Sequence, residues 1–165
     1  PSGSTARVAS AAGSSPAIFW HNLCRNNRAG GTRVRIAQYP TAEQIQALLA
    51  GPAETPVVMV NLLRFKDRAG APDEGDTGAE AYRRYGEPMR RIVEERGGRF
   101  LWMGRVDSFV IGGSDVPFDA VALVEYPSRR VFVEIVNDPR VREIGAHRAA
   151  GLEGQWLIAT TAGSF

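Results

Sequence analysis

Residues 57–161 predict an α+β domain: a four-stranded antiparallel sheet with two helices on one face, in the order βαββαβ. Three observations carry this. Val57 through Phe65 is a nearly continuous apolar, β-branched run, the pattern of a central strand covered on both faces. Tyr82, Tyr85, Met89, Ile92 and Val93 recur at three- and four-residue steps, the period of a helix packed along one side. Two further strand-like runs, 99–111 and 119–126, flank a turn that begins at Gly112-Gly113, as in a hairpin.

The elements follow in order. Residues 33–39 alternate polar and apolar, as a short strand does. Thr41 is placed as the N-cap of a helix over 42–50, with Ile45, Leu48 and Leu49 on one face, and Gly51-Pro52 ends it. Strand 57–65 is followed by a charged, Gly/Pro-rich surface loop at 66–78. The helix over 79–96 stops at Gly97-Gly98, and Pro88 inside it is expected to kink or split it. After the hairpin, Pro127-Ser128 caps a helix over 129–136, with Val131, Phe132, Ile135 and Val136 inward. Asn137-Asp138-Pro139 breaks that helix, a further one covers about 140–150, and 155–161 form the last strand. The order is the split βαβ, or ferredoxin-like, arrangement.

The second face of the sheet predicts an assembly. Strand 57–65 carries Val58, Val60 and Leu62 on one side and Met59, Leu63 and Phe65 on the other. Strand 99–111 likewise sets Phe100 and Trp102 against Leu101 and Met103. Helices on one side leave the other as a large apolar patch in water. Sheet-to-sheet pairing in a homodimer removes it and closes a dimeric α/β barrel.

Several stretches resemble the domain-of-unknown-function family 1330. They are Ala81-Tyr82-Arg83-Arg84-Tyr85, Glu95-Arg96-Gly97-Gly98-Arg99-Phe100-Leu101, Val124-Glu125-Tyr126-Pro127-Ser128 and Asn137-Asp138-Pro139. Val58 through Phe65 and Gly104-Arg105-Val106-Asp107 look like one branch of that family. The resemblance covers about 57–161, with the helix at 42–50. It implies the dimeric α/β-barrel fold and a dimer, and no particular reaction. Related barrels include cofactor-free monooxygenases, lactone isomerases and peroxidase-like enzymes, an analogy of fold alone.

Composition narrows the function classes. The chain has 165 residues, enough to bury a core without disulfides or a structural metal. Its one cysteine, Cys24, admits no internal disulfide and suits a reducing cytoplasm. No apolar run approaches the roughly 20 residues that cross a bilayer. The basic balance sits at the start: five of the 20 basic residues and no acid lie in 1–42. That leaves 15 basic against 18 acidic residues, a net of −3, over 43–165. No basic stripe with interleaved aromatics suggests nucleic acid. Residues 1–31, rich in Ala, Ser, Gly, Asn and Arg, are expected to be a disordered or non-native segment. A targeting peptide or a functional arm are the alternatives, and residues 32–56 form an N-terminal strand and helix extension. His21 and Cys24 have the spacing of half a metal site with no second pair.

Candidate chemistry rests on few residues. His147 is the domain's one histidine; an imidazole can exchange a proton near neutral pH, so it is the candidate acid or base, or else a capping residue. Asn61 and Arg64, polar residues in or at the end of a buried strand, either satisfy neighbouring groups or orient a substrate. Tyr82 and Trp102 are candidate walls for a flat or apolar molecule, or else core. Arg105 and Asp107 share a strand face and suit a salt link or a pair across a dimer. No nucleophile triad, phosphate loop or metal set is present in the sequence. The expectation is a small cytoplasmic enzyme acting without metal or cofactor on a small apolar or aromatic molecule. A non-enzymatic ligand-binding protein of the same fold is the alternative.

Overall fold

The computed structural model describes residues 34–163; the segment 1–31 and the His21–Cys24 spacing lie outside the described residues. Helix α1 (Ala42–Leu49) opens on Thr41, whose hydroxyl accepts the Gln44 N–H while the Gln44 side chain accepts from Thr41, a capping box. Strand β1 (Val57–Phe65) leads through a loop to α2 (Gly78–Glu95), where Thr77 and Glu80 make the same reciprocal cap. Helix α2 ends on Gly97, at φ 77°, with Gly97 N–H bonded to Glu94 O and Gly98 N–H to Val93 O. Strands β2 (Arg99–Arg105) and β3 (Ala120–Tyr126) make the hairpin. Helices α3 (Arg129–Val136) and α4 (Pro139–Gly151) then lead into β4 (Leu152–Thr160).

The strands lie in the order β2-β3-β1-β4, all pairs antiparallel, so the predicted α+β ferredoxin-like sheet is present. The second helical position holds two consecutive helices, broken at Asp138, whose carboxylate caps α4. One face of the sheet is the core. Val57 and Met59 of β1, with Val124 and Tyr126 of β3, pack on Met89, Ile92 and Val93 of α2. Phe132 and Ile135 of α3 and Val141 of α4 complete it. Each such burial contributes about 1.5–3 kcal/mol.

The other face is apolar, and no described helix covers it. A row runs straight across all four strands: Ile158, Val60, Leu123 and Trp102 are successive partners in the ladders. Ile158 is 45% and Trp102 53% exposed. Phe118, in the connection between β2 and β3, folds over the top of this face against Trp156, with ring centres 5.6 Å apart.

Four expectations are corrected. The strand at 33–39 reduces, in its described part, to a bridge between Ala37 and Gln155. Side-chain bonds replace a ladder there: the Trp156 indole N–H donates to Arg35 O and the Gln38 amide to Leu152 O. Strand β2 stops at Arg105 rather than 111, because its partner runs out. Val106 N–H bonds to Asp119 O, Asp119 N–H turns to Leu63 O, and 107–118 have no ladder to join. Pro88 does not split helix α2, which runs on through it with Tyr85, Met89 and Ile92 on either side packed in the core. Strand β4 begins at Leu152, three residues before the expected 155, because α4 ends directly into it.

Candidate functional site

Helix α4 carries His147 on its last turns, under the loop that joins β1 to α2. His147 Nδ1 lies 2.7 Å from Asp73 Oδ2. The other Asp73 oxygen accepts from Arg84 at 2.8 Å, and Arg84 also grips Asp76. Asp73 is 6% exposed at its side chain and His147 32%, so a buried carboxylate holds a partly open imidazole. An ionised carboxylate accepts only, so it fixes the proton on Nδ1 and leaves Nε2 as the nitrogen able to act on another molecule. The loop is built to present Asp73: Ala69 N–H bonds to Asp76 O, and Gly70 N–H crosses to Ala150 O on α4.

The two ends of the same loop border an open recess of about 480 Å³ at the end of the sheet. Arg64, Lys66, Thr77, Arg105 and Asp119 are among its lining residues. Arg64 is committed to acids, at 2.9 Å from Asp119 and 3.2 Å from Glu153. Asp119 also accepts the Phe65 N–H at 2.7 Å, which fixes the end of β1. Lys66 Nζ donates to Ala149 O at 2.7 Å. The ion pairs at this end of the sheet leave Arg105 outside them, so it is the cation free to meet a ligand acid among the described lining residues.

A family model, Domain of unknown function (DUF1330), matches residues 77–162, about half of the chain. The chain belongs to the DUF1330 family. A solved structure of the RPA0582 protein of unknown function from Rhodopseudomonas palustris is 38% identical, with a TM-score of 0.71. It covers 79% of this chain and 99% of its own. The methylated form of that protein gives the same identity and TM-score over 79% of this chain and 98% of its own. SnoaB, a cofactor-independent oxygenase from Streptomyces nogalater, aligns at 13% identity and a TM-score of 0.45 over 67% of this chain and 96% of its own. No functionally curated protein matches the chain.

This DUF1330 domain distributes the expected site residues over four places. Arg64 and Arg105 meet in the recess; His147 lies outside its lining, paired with Asp73 of the loop. Asn61 and Tyr82 lie on the helix side of the sheet. The Asn61 amide donates to Met59 O at 3.1 Å and Ala122 O at 3.3 Å, which satisfies its donors within the strands. Tyr82 stacks between Phe65 and Tyr85, at 5.2 and 5.4 Å. Burial pushes the phenols of Tyr82, Tyr85 and Tyr126 up, reinforced at Tyr82 and Tyr126 by neighbouring tyrosines. Trp102 lies on the opposite face, folded over Gly104, so Tyr82 and Trp102 do not wall one pocket. Arg105 and Asp107 make no link to each other within the chain.

Sequence reasoning passed over Asp73, Arg84, Lys66 and Asp119. Asp73 sits in a loop of Pro, Asp, Glu and Gly that reads as a solvated turn, and its partner is 74 residues away. Only the stacking of loop on helix marks it as buried. Among the described residues no group of three or more His, Cys, Asp or Glu gathers to hold a metal ion. No described helix is long and apolar enough to cross a membrane.

Proposed function

We propose that this protein is a small homodimeric α/β-barrel enzyme that acts without a bound cofactor on a small apolar or aromatic molecule, with His147 as its acid/base. The observation that carries this reading is the 2.7 Å contact from His147 Nδ1 to the buried Asp73 carboxylate, itself held by Arg84. A histidine oriented in this way has one tautomer, a fixed ring plane and an Nε2 ready to take or give a proton. The recess bordered by the same loop supplies Arg105, which suits a carboxylate or enolate on the substrate. The exposure of Trp102 and Ile158 on the apolar face of the sheet supports dimer formation through that face, and with it the barrel reading.

The test begins with native mass spectrometry of freshly purified protein, which reports stoichiometry and any retained molecule together. Hydroxylated aromatics and small carbonyl compounds are then assayed for turnover. On the enzyme reading, His147→Gln lowers kcat by about 10²–10⁴-fold with ligand binding retained. Turnover unchanged in His147→Gln rules out the assigned role.

One observation favours a second reading, a non-enzymatic ligand-binding protein: the recess is lined by Arg64 and Arg105 and not by His147. There the His147–Asp73 pair is a clasp for the loop. Ligands then raise Tm without turnover, and His147→Gln changes stability alone.

A further inference from the structure

Strand β2 is an edge of the sheet. Leu101, Trp102 and Met103 on it are 45%, 53% and 49% exposed. Just beyond it, Phe109, Val110 and Ile111 are 48%, 86% and 66% exposed. An apolar edge of this kind is a template for another strand.

The stretch between these two triplets is self-complementary. Laid antiparallel on a second copy and centred on Val106, it sets Arg105 opposite Asp107 of the second copy and Gly104 opposite Ser108. Further out, Met103 meets Phe109, Trp102 meets Val110 and Leu101 meets Ile111, so apolar faces apolar throughout. Both charges occur twice by symmetry, and the ion pairs among the described residues at this end of the sheet do not include Arg105 or Asp107. Opposed unlike charges and paired apolar side chains are what fix a strand register.

The backbone agrees with that register. Val106 N–H points inward, to Asp119 O at 2.9 Å. Groups alternate along a strand, so Arg105, the last residue of β2, directs its N–H and C=O outward; Asp107 would do the same once 106–111, which lie outside the ladder and bend at 110–111, extend along a second strand. The bulge between Phe100 and Trp102 closes the register at its far end.

We propose that residues 101–111 pair antiparallel with the same residues of a second copy, extending the sheet from edge to edge. This interface is separate from the sheet-face pairing proposed above and does not depend on it. It also accounts for a strand-like sequence at 106–111 that finds no ladder partner among the described residues.

The test is a symmetry cross-link. Directly opposed residues that are not hydrogen-bonded have Cα atoms about 4.5 Å apart, within disulfide reach. In a full-length chain carrying Cys24→Ser, Val106→Cys should oxidise to a disulfide-linked pair of chains. Adding Arg105→Asp should reduce the yield roughly tenfold, since it places like charges opposite each other twice. Adding both Arg105→Asp and Asp107→Arg should restore it. Absence of the cross-link, or equal yields in all three backgrounds, overturns the proposal. Ile158→Lys, which disrupts the sheet face, should leave the cross-link intact, so failure of the face dimer and failure of the edge pairing are read separately.

Discussion

Asp73 holds a carboxylate at 6% side-chain exposure between two cationic or titratable partners, Arg84 and His147. Asn at this position keeps the shape, removes the charge and turns one of the two acceptor oxygens into a donor, so the bonds to Arg84 and His147 cannot both persist. Asp73→Asn should cost about 1–3 kcal/mol of stability by denaturant melts. Amide exchange at Ala69, Gly70 and Asp76 should quicken, since their bonds hold the same loop. An unchanged exchange pattern would show that the pair does not hold the loop. The buried tyrosines give a pH prediction. Burial raises Tyr82, Tyr85 and Tyr126 above their ordinary value, so the folded state favours the neutral phenol. Their contribution is complete below about pH 10, where unfolded tyrosine ionises, and is lost as pH rises beyond it. Stability should fall above about pH 10, and Tyr82→Phe should flatten that fall relative to the parent.

At the scale of elements, α2 and α4 cross where both helices carry glycine. A Cβ on Gly151 would strike Gly78 O, and a Cβ on Gly78 would strike Lys66 O and Gly151 O. All of these neighbours are backbone and have nowhere to move. Gly151→Ala should therefore destabilise by about 1–3 kcal/mol and broaden signals from the 66–77 loop. An alanine variant as stable as the parent would mean the two helices can separate without loss. The same closeness brings Gly70 N–H to Ala150 O and sets Asp73 over His147. A similar tie holds the other end of the molecule. Arg129, buried with no acid, donates to Pro52 O and the Thr161 hydroxyl, and joins the start of β1 to the end of β4.

At the scale of the whole molecule, the sheet separates a helix-covered core from an apolar face. Trp156 and Ile158 of β4, both on that face, are 37% and 45% exposed. Ile158 is a ladder partner of Val60 at the middle of that face. Ile158→Lys should cut the native mass twofold with the circular-dichroism spectrum unchanged, because the substitution falls on a side chain already in water. A variant whose mass equals that of the parent would remove the face from the assembly.

The sequence by itself determined the elements and their order. Period-two and period-3.6 apolar patterns, the Thr41 cap and the Gly97-Gly98 stop are local, and local chemistry names a strand or a helix. The bounds of helix 129–136 were legible, although Val136, expected inward, is exposed; the bare second face of the sheet followed from the two-sided apolar pattern of strand 57–65. Where β2 would stop was not legible, because Phe109, Val110 and Ile111 read as strand and only the exhausted pairing with β3 ends it. The candidate site was legible as single residues and illegible as a constellation. His147 was readable as titratable, whereas Asp73 acquires its burial and its partners only when a loop packs on a helix 74 residues further along the chain. Trp102 and Tyr82 share an aromatic character and no face, since the side of a sheet to which a residue belongs is set by the bulge and the ladder. Periodicity is a property of neighbours in the chain; sites are made by neighbours in space, and tertiary packing alone brings those together.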